Sequence, residues 1–173
     1  MAKVEHLRAM VAPGRRCGKG LDAAPSRTQT GSEQGVDAVQ ADFRFDHIAI
    51  SARNLAASAA FYGELLGLPE IENRTRRSTI RWFGFDGHRS IHIITGPDEP
   101  PPQRPIDAHF CLSTPHFDAT LKYLAERGVR YCSVSGEPMT FNHRGDGVRQ
   151  TYFQDPDNYW VEVCEAHADG TVG

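Results

Sequence analysis

From Phe43 onward, the apolar and polar positions switch between the period of a strand and that of a helix, and the same switch occurs twice. The first copy opens with Asp46-His-Ile-Ala-Ile-Ser51 and the second with Ala108-His-Phe-Cys-Leu-Ser113, with the two histidines 62 residues apart. Alternate side chains of a strand share a face, so His47, Ala49 and Ser51 point one way while Ile48 and Ile50 point the other, toward a covering helix. That helix is predicted over 54–67. Asn54 is placed to accept hydrogen bonds from the first-turn amides, Leu55, Phe61, Tyr62, Leu65 and Leu66 form the apolar stripe, and Gly67 suits a left-handed stop. The second copy predicts its helix over 117–128, with Asp118 near the start, Phe117, Leu121 and Leu124 as the stripe, and Gly128 at the end. Strand texture follows at 79–85 and 90–95 around the turn residues Asp86-Gly87, and at 150–154 and 159–164 around Asp155-Pro-Asp-Asn158. A weaker second strand is expected at 70–73 and at 131–135. Each copy therefore reads β-α-β-β-β, and the fold class is α+β.

Residues 1–42 have no sustained period and are rich in Gly, Ala, Ser, Thr, Gln and Arg; six basic and five acidic residues nearly cancel, which argues against a binding arm. They are expected to form a flexible tail. The folded domain is placed at 43–168, with module one at 43–105, module two at 106–168 and a short tail at 169–173. With 39% hydrophobic residues, 24% charged residues and a formal net charge of −3, the chain offers no basic surplus for nucleic acid or an anionic membrane. There is no apolar run of membrane-span length and no signal-like apolar stretch near Met1. A small-molecule partner and a cytoplasmic location are expected.

Strand parity places the chemistry. Ser90, His92 and Ile94 share a face, as do Trp160, Glu162 and Cys164, so histidine or glutamate recurs on the first and last strand of both copies. Pairing the copies by an approximate two-fold would bring His47, His92, His109 and Glu162 to one centre, where imidazoles and a carboxylate call for a cation. The cysteines Cys17, Cys111, Cys132 and Cys164 include no C-x-x-C pair and suit a reducing compartment. Cys111 and Cys164 each lie two residues past a proposed ligand and read as small pocket-lining residues, with ligation conceivable.

The segments Asp46-His-Ile-Ala-Ile, Phe61-Tyr-Gly-Glu-Leu-Leu-Gly-Leu68 and Tyr152-Phe-Gln-Asp-Pro-Asp-Asn-Tyr-Trp-Val-Glu162 resemble the vicinal oxygen chelate superfamily, which includes glyoxalase I, bleomycin-binding and fosfomycin-resistance proteins and extradiol dioxygenases. The resemblance implies two βαβββ modules forming an incomplete barrel around one divalent metal ion. It carries ligands onto His47, His109 and Glu162, and onto His92 where bacterial glyoxalase I has a glutamate that also moves a proton. A glyoxalase I-like lyase or isomerase would use nickel, cobalt, zinc or manganese, with His92 and Glu162 as acid-base groups. The alternative is a single-domain extradiol dioxygenase, with iron on His47, His109 and Glu162 and catalytic roles for His143 and Tyr152, nineteen and ten residues before Glu162. A third reading is a drug-binding or drug-modifying resistance protein with Phe61, Trp82, Tyr152 and Trp160 lining a cleft. Arg74, Arg76, Arg77, Arg81, Arg144 and Arg149 are candidate clamps for a substrate carboxylate or else solvated side chains. A homodimer is expected, with the site built within one chain or across two.

Overall fold

The computed structural model describes residues 43–167, and both expected tails lie outside the described residues. Module one contains β1 (His47–Ala52), α1 (Leu55–Ala60), a π-helical turn (Phe61–Leu65), β2 (Glu70–Ile71), β3 (Ile80–Gly84) and β4 (Ser90–Thr95). Module two contains β5 (His109–Thr114), α2 (Phe117–Glu126), β6 (Asn142–His143), β7 (Arg149–Gln154) and β8 (Trp160–Glu165). The strands form two four-stranded sheets in the orders β1-β4-β3-β2 and β5-β8-β7-β6. In each, the first strand runs parallel to the last and the other neighbours are antiparallel. β1 and β5 end their sheets, so the curved surface is an open barrel, as the resemblance implied.

Local chemistry sets the helix ends. The Asn54 side chain accepts the Ala57 amide at 3.1 Å, and Gly67 and Gly128 adopt φ of 71° and 72°, which an L side chain enters only at a cost. Asp118 caps nothing; it binds Arg149 at 2.6 Å, and His116 holds the N-cap position. After Ala60 the helix widens, with the Leu66 amide reaching back to the Phe61 carbonyl at 3.0 Å, one residue farther than an α-helix allows. Phe61 and Tyr62, adjacent in sequence, are both buried there.

These two rings join the modules. The Phe61 centroid lies 6.1 Å from that of Phe153, and Tyr62 lies 6.4 Å from Phe110, so the helix of module one packs on the sheet of module two. Polar bonds reinforce the seam. Asp157 accepts the Arg53 amide at 2.9 Å and the Ser58 hydroxyl at 2.8 Å, while Asp155 accepts the Tyr62 hydroxyl at 2.8 Å. Asp155 also takes the amides of Asp157 and Tyr159, closing its own turn. The Asp155-Pro-Asp157 segment is thus a clamp between modules as well as a turn. Burial pushes the Asp155 carboxyl above its usual range.

One expected strand is absent. At 131–135 only Cys132 pairs, with Tyr152 and with Pro138 across its own turn, because the chain turns back at once through a Ser133–Gly136 hydrogen bond with Gly136 at φ 84°. The rest of that β7 edge is taken by β6, two residues long. The strand expected at 70–73 shortens to Glu70–Ile71.

Candidate metal centre

In module two the unhelical face of the sheet carries His109 and Cys111 from β5, Glu162 and Cys164 from β8, and Gln150 and Tyr152 from β7. The register sets Glu162 opposite both Cys111 and Tyr152, which makes its carboxylate the middle of the face. Glu162 is only 3% exposed, and its acceptors are met by Gln150 Nε2 and by Cys111 Sγ at 3.3 Å rather than by an arginine or lysine. His109 Nε2 stands 2.8 Å from Glu162 Oε2.

The tautomer of His109 makes this contact informative. Its Nδ1 lies 2.7 Å from the Ile106 carbonyl and must donate to it, so a neutral ring presents the bare Nε2 lone pair to a carboxylate oxygen. Two acceptors at that distance need a proton or a cation between or beside them. A metal ion satisfies both, and an imidazole held through Nδ1 by a carbonyl with Nε2 free is the usual posture of a metal-ligating histidine. The donor set therefore fits a divalent ion.

Tyr152 belongs to this group, its ring edge-on to His109 with centroids 5.3 Å apart. Burial, with the Glu162 charge beside it, pushes its phenol well above the usual range, so it remains a hydrogen-bond donor at neutral pH. Burial, the Cys164 thiol and Glu162 likewise push the Cys111 thiol up.

Module one holds the other two predicted ligands as a stack. His47 and His92 lie ring on ring, centroids 4.1 Å apart and 15° from parallel, and Trp82 covers the other face of His92 at 3.9 Å. His47 Nδ1 contacts the Asp46 carboxylate at 2.7 Å, which leaves Nε2 free, and His92 Nε2 contacts the Ser90 hydroxyl at 3.1 Å. An open cavity of about 690 Å³ borders this stack, lined also by Arg74 and Arg89. Burial, then the charge of His47, lowers the His92 pKa from its usual 6.5. A like charge disfavours protonation, so His47→Ala should move the His92 titration back upward while the larger effect of burial remains. Ring-nitrogen NMR across the acid range of the metal-free protein checks the direction.

The structure thus brings the predicted ligands together as two pairs, His47 with His92 and His109 with Glu162, and not as one four-residue centre in a single chain. Among the described residues, the group of three whose ligand atoms lie within 4.8 Å of one another is Cys111, Glu162 and Cys164. His143 is not with Glu162. It pairs with Arg149, three residues from Tyr152 and hence on the opposite, helix-covered face, with its ring 5.6 Å from Phe141. Three candidate clamps are committed elsewhere: Arg81 to Glu70, Arg144 to Asp146, and Arg149 to Asp118 and Glu165. Phe61 is core and not cleft, and the Trp160 indole donates to the Arg104 carbonyl. The sequence reading missed Gln150 and the Ile106 carbonyl as supports of the site. Gln150 was findable, since it shares strand parity with Tyr152.

Comparison with known proteins bears on this arrangement. The profile of the Glyoxalase/Bleomycin resistance protein/Dioxygenase superfamily matches residues 44–163. The uncharacterised Escherichia coli protein YaeR is 30% identical over 128 residues, 69% of this chain and 93% of YaeR. Glyoxylase I 4 of Arabidopsis thaliana is 28% identical over 127 residues, 69% of this chain and 68% of that protein. Among solved structures, a glyoxalase family protein of Bacillus anthracis superimposes with a TM-score of 0.58 at 24% identity, covering 73% of this chain and 97% of that one. Lactoylglutathione lyase of Agrobacterium tumefaciens gives 0.54 at 17%, covering 70% and 92%. The oxidase ChaP-H2 gives 0.59 at 22%, covering 72% and 94%. These likenesses show the fold, and no helix among the described residues is long and apolar enough to cross a membrane. With its two βαβββ modules and its matching profile, this chain belongs to the Glyoxalase/Bleomycin resistance protein/Dioxygenase superfamily, the vicinal oxygen chelate proteins.

Proposed function

We propose that this chain is a divalent-metal-dependent enzyme of the glyoxalase I-like kind, a lyase or isomerase for a small metabolite that offers two adjacent oxygens. The observation that carries the reading is the buried Glu162 carboxylate facing His109 Nε2 at 2.8 Å, with no arginine or lysine in the bonds it makes. Nickel, cobalt, zinc or manganese suits His109 and Glu162 together with His47, which leaves the His92 ring for proton transfer. Such an ion, when bound, polarises the chelated oxygens and acidifies the neighbouring C–H bond.

The remaining work falls to side chains. His92, kept largely neutral at physiological pH by burial and by His47, can accept the proton released and return it one carbon or one atom away. Ser90 and the Trp82 face hold the imidazole in place. Tyr152, protonated beside Glu162, can donate a hydrogen bond to a substrate oxygen. Because no group of ligand atoms found among the described residues unites the His47–His92 pair with the His109–Glu162 pair, the reading assigns the complete site to a homodimer, with one pair from each copy. Mixing Glu162→Ala protein with His47→Ala protein is then expected to regain activity, since a mixed dimer has one intact site; absence of any regain argues for a site within one chain.

An iron-dependent ring-cleavage role is favoured by Tyr152 lying against His109 and disfavoured by His143 lying on the other face of the sheet. The direct test offers the purified protein a glutathione hemithioacetal under nitrogen and a catechol in oxygen, with His92→Gln beside the unaltered chain. Turnover of the hemithioacetal, lost in His92→Gln by about 10²-fold or more as for a removed general base, is the expected result. Turnover of the catechol alone would replace this reading with ring cleavage.

A further inference from the structure

We propose that a chain of amides, running from the Val134 backbone through Asn142 and Gln150, is a positioning device that fixes Glu162 as a one-oxygen metal ligand, bound through Oε2 alone. The proposal rests on the reading that Glu162 holds metal, and it deepens that reading by naming which oxygen does so and what keeps the other away.

The direction of the chain is set at its far end. A backbone N–H can only donate, and the Val134 amide reaches Asn142 Oδ1 at 2.9 Å, so the other end of the Asn142 side chain is its NH2. That Nδ2 donates to Gln150 Oε1 at 3.3 Å, which leaves Gln150 Nε2 to donate to Glu162 Oε1. Flipping either amide would set donor against donor and acceptor against acceptor. Cys111 Sγ stands 3.3 Å from the same Oε1, closer than the 3.8 Å to the Leu112 carbonyl, and its thiol donates there as well. His109 Nε2 faces the other oxygen, Oε2, at 2.8 Å. One oxygen of Glu162 is thus held by donors while the other is turned to an imidazole.

Strand register supplies the pieces. Asn142, in the two-residue strand β6, lies directly opposite Gln150, and Gln150 stands two residues before Tyr152, the partner of Glu162 across β7 and β8. In module one His92 and Trp82 answer Glu162 and Tyr152, and the place of Gln150 is held by Ile80. A glutamine only 8% exposed is costly unless both ends of its amide are bonded, and here the carboxylate completes it. A chelating carboxylate would take two positions at an ion, whereas a single oxygen takes one. His47, His109 and Oε2 then leave two positions of a five-coordinate ion for adjacent substrate oxygens.

The probe is zinc, titrated calorimetrically into the metal-free full-length chain, with infrared difference spectra of zinc-loaded against metal-free protein reading the carboxylate. The unaltered chain is expected to show the wide separation between antisymmetric and symmetric carboxylate stretches that one-oxygen binding gives. Gln150→Leu, which puts an aliphatic side chain where module one has Ile80, should narrow that separation toward the chelating value and weaken zinc binding by about tenfold or more, as loss of an outer partner does. Asn142 separates positioning from packing. Asn142→Asp keeps the shape and the acceptor for Val134, but its second oxygen draws the Gln150 NH2 away from Glu162. The relay therefore requires a larger loss of zinc affinity in Asn142→Asp than in Asn142→Ala, whereas a packing role, or plain attraction between a new carboxylate and the cation, requires the reverse. A narrow separation in the unaltered chain, or an unchanged one in Gln150→Leu, would overturn the relay while leaving the metal site and the proposed function standing. The reverse order of the two Asn142 variants would overturn it in the same way, and that pair decides even if Gln150→Leu misfolds. No zinc uptake by the unaltered chain would overturn both readings.

Discussion

Glu162→Ala is expected to abolish metal uptake, with affinity falling by more than the ~100-fold that loss of an outer partner costs. Glu162 is the carboxylate common to every ligand set discussed for this chain, and alanine leaves His109 with nothing to share an ion. The fold should survive. Glu162→Gln sharpens the point, because its amide oxygen can still accept from Gln150 while its NH2 can donate to the lone pair of His109. That variant should keep or raise the melting temperature of the metal-free protein and still fail to bind metal. Full metal content in Glu162→Ala, measured by calorimetric titration and elemental analysis, would remove Glu162 from the site.

Asp157→Ala is expected to be the most destabilising single change at the seam between modules. Asp157 is 3% exposed and accepts the Arg53 amide and the Ser58 hydroxyl, so alanine strands a buried donor at Ser58 and a part-buried one at Arg53, at about 1–3 kcal/mol each. For a domain of this size the loss corresponds to a fall in melting temperature of roughly 10 °C or more. Asp157→Asn, which retains an acceptor oxygen, should lose less than half as much. Tyr62→Phe removes only the hydroxyl bonded to Asp155 and should cost about 1 kcal/mol. Thermal unfolding of the three variants in one buffer tests the order, and Asp157→Ala melting within a degree or two of the parent would show that the clamp contributes little.

Much of this was readable from the chain. The period of two put His47, His92, His109 and Glu162 each on the helix-free face of its strand, and the structure keeps all four there. The cap at Asn54 and the stops at Gly67 and Gly128 are local hydrogen-bond and φ preferences, visible in a few neighbouring residues. The family profile over residues 44–163 agrees with the motifs that suggested it. The strand expected at 131–135 failed because the texture of Tyr131 to Ser135 resembles that of a strand, whereas the turn closed by Gly136 ends pairing after Cys132.

What lay beyond the sequence shares one cause. His143 entered through the dioxygenase alternative, by its offset of nineteen residues from Glu162, but an offset across a turn and two strands carries no information about face, and pairing with Arg149 turns it away. The role of Asp155 and Asp157 as a clamp on the first helix depends on groups 93 to 104 residues away, which local patterning does not reach. The amino-acid sequence alone determined the two modules, the faces of their strands and the identity of the polar residues on them, because these follow from periodicity within a few residues. Only the tertiary structure decided that His47 stacks on His92, that His109 meets Glu162, and that Cys111 and Cys164 gather at Glu162. Those meetings depend on strand order, register and the packing of one module on the other, which are set by long-range burial and not by neighbours along the chain.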